Sequence, residues 1–176
     1  MAYNNAFSPR QVYYKTPTGE MTMYTGEAQT AKFFDLVGEQ WRKEPKRFSL
    51  GKDMHYTPDF YLPRMRLFVE VKNRDYSTIE QSDIAKIEEF YRNDYDIYIM
   101  RKPITEMKFA KQDFQESNGF FFSSRYIHGY DQNIMLVWGC SPDGKLMLGP
   151  PPQNGSCPFL RQANDAIRWE FDEVSR

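Results

Sequence analysis

The apolar and polar positions of this chain fall into two periods. "VYYKTPTGEMTMY", residues 12–24, places β-forming residues on both sides of Thr16-Pro17-Thr18-Gly19, whose turn chemistry predicts a hairpin. In "TGEAQTAKFFDLVGEQW", 25–41, Ala28, Ala31, Phe34, Leu36 and Val37 give a partial helical stripe, with Thr25 as the expected cap. Short β-rich runs follow: 46–50, then 54–62 after a turn at Gly51-Lys52-Asp53, then 65–73. "YSTIEQSDIAKIEEFYRND", 76–94, returns to helical spacing through Ile79, Ile84, Ile87 and Phe90 or Tyr91. "YDIYIMRKP", 95–103, is again a strand, stopped by Pro103.

This order predicts a mixed α/β domain, with 65–73, 76–94 and 95–101 forming one right-handed βαβ crossover. Beyond Pro103 the pattern changes. "FFFSSRYIHGY" and "NIMLVWGCSPDGKLMLG" read as strands, the second a hairpin around Ser141-Pro142-Asp143-Gly144, and "FLRQANDAIRWEFDEV" reads as a terminal helix. We therefore expect a core over residues 12–110 and a C-terminal extension over 111–176, packed on it.

Three charged residues interrupt this pattern. In "LFVEVKN", Leu67, Val69 and Val71 share one face of the strand, and Phe68, Glu70 and Lys72 share the other. A strand followed by a crossover helix is expected to be internal, where charges need partners. Asp59 follows Pro58, which has no N–H to donate and so marks a break or an edge in the ladder. In an antiparallel pair, Asp59 and Glu70 can become neighbours. Convergent carboxylates suit a hard divalent cation such as Mg²⁺. Such an ion can polarise a phosphoryl oxygen and acidify a bound water, and a neighbouring lysine can orient that water.

Composition narrows the setting. The 176 residues are 40% hydrophobic and 16% aromatic, enough for a packed core. No apolar run reaches the ~20 residues of a membrane helix. "MAYNNAFSPR" has no secretory pattern, so a cytoplasmic protein is expected, in the host cell if the chain is phage-encoded. The net charge of −1 carries no global nucleic-acid signature. Between Arg42 and Arg74, however, bases outnumber acids. Lys43, Lys46, Arg47, Arg64, Arg66 and Arg74 flank the motif strands and are candidates for phosphate contact, against the plainer reading of a solvated face.

"TPDF" followed by "VEVK" resembles the PD-(D/E)xK nuclease superfamily, the restriction-endonuclease-like fold. The likeness covers about residues 12–102. A helix opening with Thr25 and Glu27, then "EPKRF", "YTPDF", "VEVK" and a crossover helix follow the order seen in small phage and transposon-end endonucleases. The resemblance implies a mixed sheet flanked by helices and Mg²⁺-dependent DNA hydrolysis, with Mn²⁺ as a substitute. It makes Asp59 and Glu70 metal ligands, Val71 a ligand through its carbonyl, Lys72 the residue that positions the attacking water, and Glu27 the acid that completes the site. Asn73 stands where many relatives have Gly.

Other features have plainer readings. Glu27 in a first helical turn also favours the helix dipole. His55 reads as structural. His128, Cys140 and Cys157 lack a CxxC knuckle and a fourth zinc ligand, so reduced thiols are the default. The aromatics of "GFFFSSRY" suit packing more than base stacking. The competing function is a catalytically inactive nuclease fold used for DNA binding or assembly. DNA and RNA are not separable from the sequence. Beside DNA, the expected partner is a second copy of the chain or a phage or host protein, and no membrane is expected.

Overall fold

The computed structural model describes residues 11–16, 19–51, 53–72, 79–100, 119–122, 137–140 and 145–149, together with Ala163 and Ala166. Strands β1 (Gln11–Thr16) and β2 (Gly19–Tyr24) form the first hairpin, and helix α1 spans Thr25–Leu36. Five short strands follow: β3 (Arg42–Lys43), β4 (Phe48–Ser49), β5 (His55–Tyr56), β6 (Phe60–Leu62) and β7 (Leu67–Val71). Helix α2 (Gln81–Arg92) leads to β8 (Ile97–Met100). The remaining strands are β9 (Gly119–Phe122), β10 (Val137–Cys140) and β11 (Leu146–Gly149).

A five-stranded mixed sheet of order β3-β6-β7-β8-β9 organises these elements. The β7–β8 pair, joined through α2, is parallel, and the other pairs are antiparallel. β7 is thus internal, as its near-continuous apolar run requires. The hairpins β1–β2, β4–β5 and β10–β11 stand outside this sheet.

Alternation along β7 and β8 sends side chains to two cores. Leu67, Val69, Tyr98 and Met100 join Ala28, Ala31 and Phe34 of α1, and Leu146 and Ala163 add to the same cluster. Phe68, Ile97 and Ile99 join Ile87, Phe90 and Tyr91 of α2, with Phe48 and Tyr56. The second core is aromatic. Phe48 meets Phe68, Phe90 and Tyr95 edge-on at centroid distances of 5.4, 4.9 and 4.8 Å, the arrangement the ring quadrupoles favour.

Several boundaries differ from the periodic reading. α1 ends at Leu36, not Trp41. Gly38 takes φ +68°, and the N–H of Glu39 donates back to the Phe34 carbonyl at 2.8 Å, a Schellman stop that only a residue tolerant of left-handed backbone permits cheaply. The cap is Tyr24, not Thr25; its backbone N–H is taken up by Glu27 Oε2 at 3.1 Å. Residues 42–43, which carry no strand period of their own, form the edge strand β3. The run 54–62 is two strands, split at Thr57-Pro58-Asp59 where Pro58 interrupts the ladder. β9, from the segment read as an extension, pairs with β8 in the main sheet. The hairpin expected around 141–144 is present as β10–β11. Among the described residues no helix is long and apolar enough to cross a membrane.

Candidate active site

The break after β5 and the register of β6 with β7 place the first two acids. Phe60 pairs with Val69 and Leu62 with Leu67, so Asp59 lies just beyond the paired stretch, alongside Glu70 and Val71. Asp59 Oδ2 accepts the backbone N–H of Val71 at 2.7 Å. Lys43, opposite Phe60 in β3, approaches from the other side, with Nζ 3.8 Å from Asp59 Oδ1. The backbone is tied as well: Glu44 N–H donates to the Asp59 carbonyl at 2.8 Å.

Glu70 points to the α2 side of the sheet and is buried. Both of its oxygens are engaged. Tyr56 donates its hydroxyl to Oε2 at 2.8 Å, and Lys72 Nζ stands 3.0 Å from Oε1. Lys72 is also held by Asp83 Oδ2, at 2.9 Å, from the first turn of α2. Lys86 lies on the far side of Asp83, at 3.5 Å. Glu27, in the first turn of α1, meets Lys43 Nζ at 3.1 Å.

The electrostatics follow from this crowding. Burial pushes the Asp59 carboxyl well above the usual carboxylate range; the charges of Glu70 and Glu27 push the same way, and the Val71 N–H and Lys43 recover only part. Burial works against the charge on Lys43, but Asp59 and Glu27 outweigh it and hold the ammonium above its ordinary value. Lys72 behaves likewise, burial being outweighed by Glu70 and Asp83. Burial and then Glu70 drive the Tyr56 phenol upward, so it stays a donor. The hydrogen bond from Lys72 holds Asp83 below its ordinary value.

The candidate residues are thus partly gathered. Asp59, Glu70, Lys72 and the Val71 N–H form one group, and Glu27 joins it through Lys43. As placed, no three acid, histidine or cysteine side chains among the described residues stand close enough together to hold a metal ion. Lys43 sits inside the acid group instead of on a basic face. Arg64 binds Glu39 and the Leu146 carbonyl. Lys46, Arg47 and Arg66 are exposed, Lys46 lying 5.0 Å over the Phe48 ring. Arg74, His128 and Cys157 lie outside the described residues, and His55 is exposed. Phe122 stacks on Tyr91 at 5.5 Å.

Tyr56 and Asp83 were not singled out by the sequence reading. Their signals were a tyrosine three positions before the motif aspartate and an acid opening the helix after the motif lysine. Compared with protein-family models, curated proteins and solved structures, the chain matches none.

Proposed function

We propose that the chain is a metal-dependent endonuclease of the PD-(D/E)xK, restriction-endonuclease-like group, hydrolysing DNA phosphodiester bonds. The observation that carries this reading is the placement of Asp59 beside Glu70. The Phe60–Val69 register brings Asp59, in the break just before β6, alongside Glu70 of β7, whose charge pushes the Asp59 carboxyl upward, and Lys72 is bonded to Glu70. A chain tolerates such repulsion in a buried site when a cation offsets it. Lys43 and Lys72 meet part of that demand, and what remains, with oxygen donors only, fits a hard divalent ion.

Asp59, Glu70 and Glu27 do not converge on one point as placed, so their side chains would have to turn toward one another to hold the ion, with Val71 beside them. Mg²⁺, or Mn²⁺ in its place, would supply Lewis-acid polarisation of the phosphoryl oxygen and an acidified water. The chain's own contribution is positional. Lys72 is kept charged and fixed between Glu70 and Asp83, where an ammonium can orient a water or neutralise charge growing on the phosphoryl group. Tyr56 fixes the rotamer of Glu70. Exposed Lys46, Arg47 and Arg66 are available for phosphates on either side of the scissile bond.

The second reading is a non-catalytic DNA-binding or assembly module. The observation in its favour is Lys43, whose ammonium neutralises Glu27 and Asp59 without any metal. The deciding experiment is cleavage of plasmid, linear, branched and single-stranded DNA, with an RNA control, in Mg²⁺, Mn²⁺ or EDTA. Glu70→Ala and Lys72→Ala are run alongside. Metal-dependent cutting lost in both variants supports the nuclease. Salt-sensitive DNA binding with no cutting in any metal supports the module.

A further inference from the structure

Its acid partners draw Lys43 away from the phosphate contact expected of it, yet its backbone is held in place. It pairs with Phe60 on the edge strand β3, and its Nζ lies 5.5 Å from the Phe60 ring centroid. The next residue, Glu44, has φ +42°, a conformation rarely adopted by residues with side chains. The Glu44 N–H is nevertheless bonded to the Asp59 carbonyl at 2.8 Å, locking β3 against the motif aspartate. The Lys43 side chain is 11% exposed, and its ammonium faces three carboxylates: Glu27 at 3.1 Å, Glu44 at 3.2 Å and Asp59 at 3.8 Å.

A divalent ion and an ammonium cannot both occupy the space between Glu27 and Asp59, because like charges at contact distance in a poorly solvated site repel strongly. A lysine on an edge strand has an exit, since its four-carbon stem can carry the charge outward while its backbone stays paired. We infer that Lys43 is a tethered cation. It holds Glu27 and Asp59 together in the metal-free protein and is expelled when a divalent ion binds, an inference that rests on the metal-nuclease reading. Metal affinity is then set by competition with the chain's own ammonium as well as by the acids. Removing that competitor leaves the acids uncompensated and strengthens metal binding.

The test is Mn²⁺ binding without DNA, counted from the electron-paramagnetic-resonance signal of the free ion. It uses the full chain as wild type, Lys43→Gln, Lys43→Met, Lys43→Arg and Asp59→Ala. Lys43→Gln keeps a hydrogen-bonding side chain should Lys43→Met fold poorly. Both neutral variants are expected to bind Mn²⁺ about tenfold tighter than wild type or better, a difference of about 1.4 kcal/mol. Lys43→Arg should bind as wild type does, and Asp59→Ala should lose binding. If Asp59→Ala loses binding but the neutral variants bind no tighter than wild type, the Lys43 inference is wrong and the nuclease reading survives. If Asp59→Ala binds as well as wild type, or if no variant binds, both are overturned.

Discussion

The backbone N–H of Val71 donates to Asp59 Oδ2 at 2.7 Å, across the point where Pro58 interrupts the strand. One bond therefore fixes the motif aspartate to the strand that carries Glu70 and Lys72. It does not fully compensate the charge, since burial together with Glu70 and Glu27 still lifts the Asp59 carboxyl above its ordinary range. An unfolded aspartate titrates near about 3.9. Between that value and the higher folded one, the folded chain binds more protons than the unfolded chain, so this residue's contribution to stability falls as pH rises through the window. Asp59→Asn keeps an oxygen for the Val71 N–H and removes the charge. In EDTA it should melt above wild type at pH 7, with the gap closing as the pH approaches 4. Thermal melts across that range check this; a variant that melts lower at pH 7 would mean that the Lys43 pairing outweighs the repulsion.

That pairing of Asp59 with β7 was legible in the sequence, because a proline before an acid and a strand with alternating charge leave few registers. The sheet strands β6 to β8 and both helices were legible for the same reason, their side chains repeating at the period of the element. Lys43 was not. Its place depends on where α1 stops, and the stop is set by one left-handed glycine, Gly38, inside a stretch whose apolar pattern runs on. A strand as short as β3, two residues, has no period to read, whereas β4 falls inside the β-rich run 46–50. Tyr56 and Asp83 were hidden because their partners, Glu70 and Lys72, lie fourteen and eleven residues away and meet them only after the sheet and crossover form.

Tyr56→Phe isolates the bond that holds Glu70. The ring remains to pack on Phe90, 5.1 Å away, so the change removes only the hydroxyl donated to Glu70 Oε2. A buried carboxylate oxygen that loses its donor should cost about 1 to 3 kcal/mol in denaturant unfolding. Adding Mn²⁺ should recover part of that loss if Glu70 turns to the ion. A variant as stable as wild type without metal would show that water replaces the hydroxyl.

Lys72 and Asp83 separate chemistry from positioning. Lys72→Ala should lower kcat about 100- to 1,000-fold, the scale of losing one electrostatic stabiliser at a reacting centre. Asp83→Asn leaves the ammonium present but loosely held, and about a tenfold loss is expected, as for other residues that orient a functional group from behind. The two substitutions should be strongly non-additive, since the second has nothing left to position. Asp83→Asn has a pH signature as well. Lys72 depresses the Asp83 pKa in the folded state, so Asp83 stabilises the chain above the unfolded value of about 3.9 and loses that effect as pH falls through the folded value. The stability difference from wild type should therefore be present at neutral pH and vanish in acid. Equal loss of rate from Asp83→Asn and Asp83→Glu would argue against a positioning role.

Arg64 distinguishes a structural base from one that touches DNA. Its Nε and Nη2 donate to Glu39 Oε2 at 2.9 and 2.5 Å, and Nη2 also reaches the carbonyl of Leu146 in β11. The Glu39 side chain is 3% exposed and its other oxygen, Oε1, has no hydrogen-bond partner among the described residues, while the Arg64 side chain is 42% exposed. Removing Arg64 strands a buried carboxylate. Arg64→Met should cost about 2 to 3 kcal/mol, between the values for exposed and fully buried pairs. Arg64→Met with Glu39→Met should restore most of it, because no buried charge is left behind. Affinity for DNA at fixed salt should change little in the double variant. Arg66→Met and Lys46→Met, whose side chains are exposed, should instead weaken DNA binding and flatten its salt dependence while leaving the melting temperature nearly unchanged. A double Arg64/Glu39 variant that is stable yet binds DNA as weakly as these would return Arg64 to the phosphate-binding set.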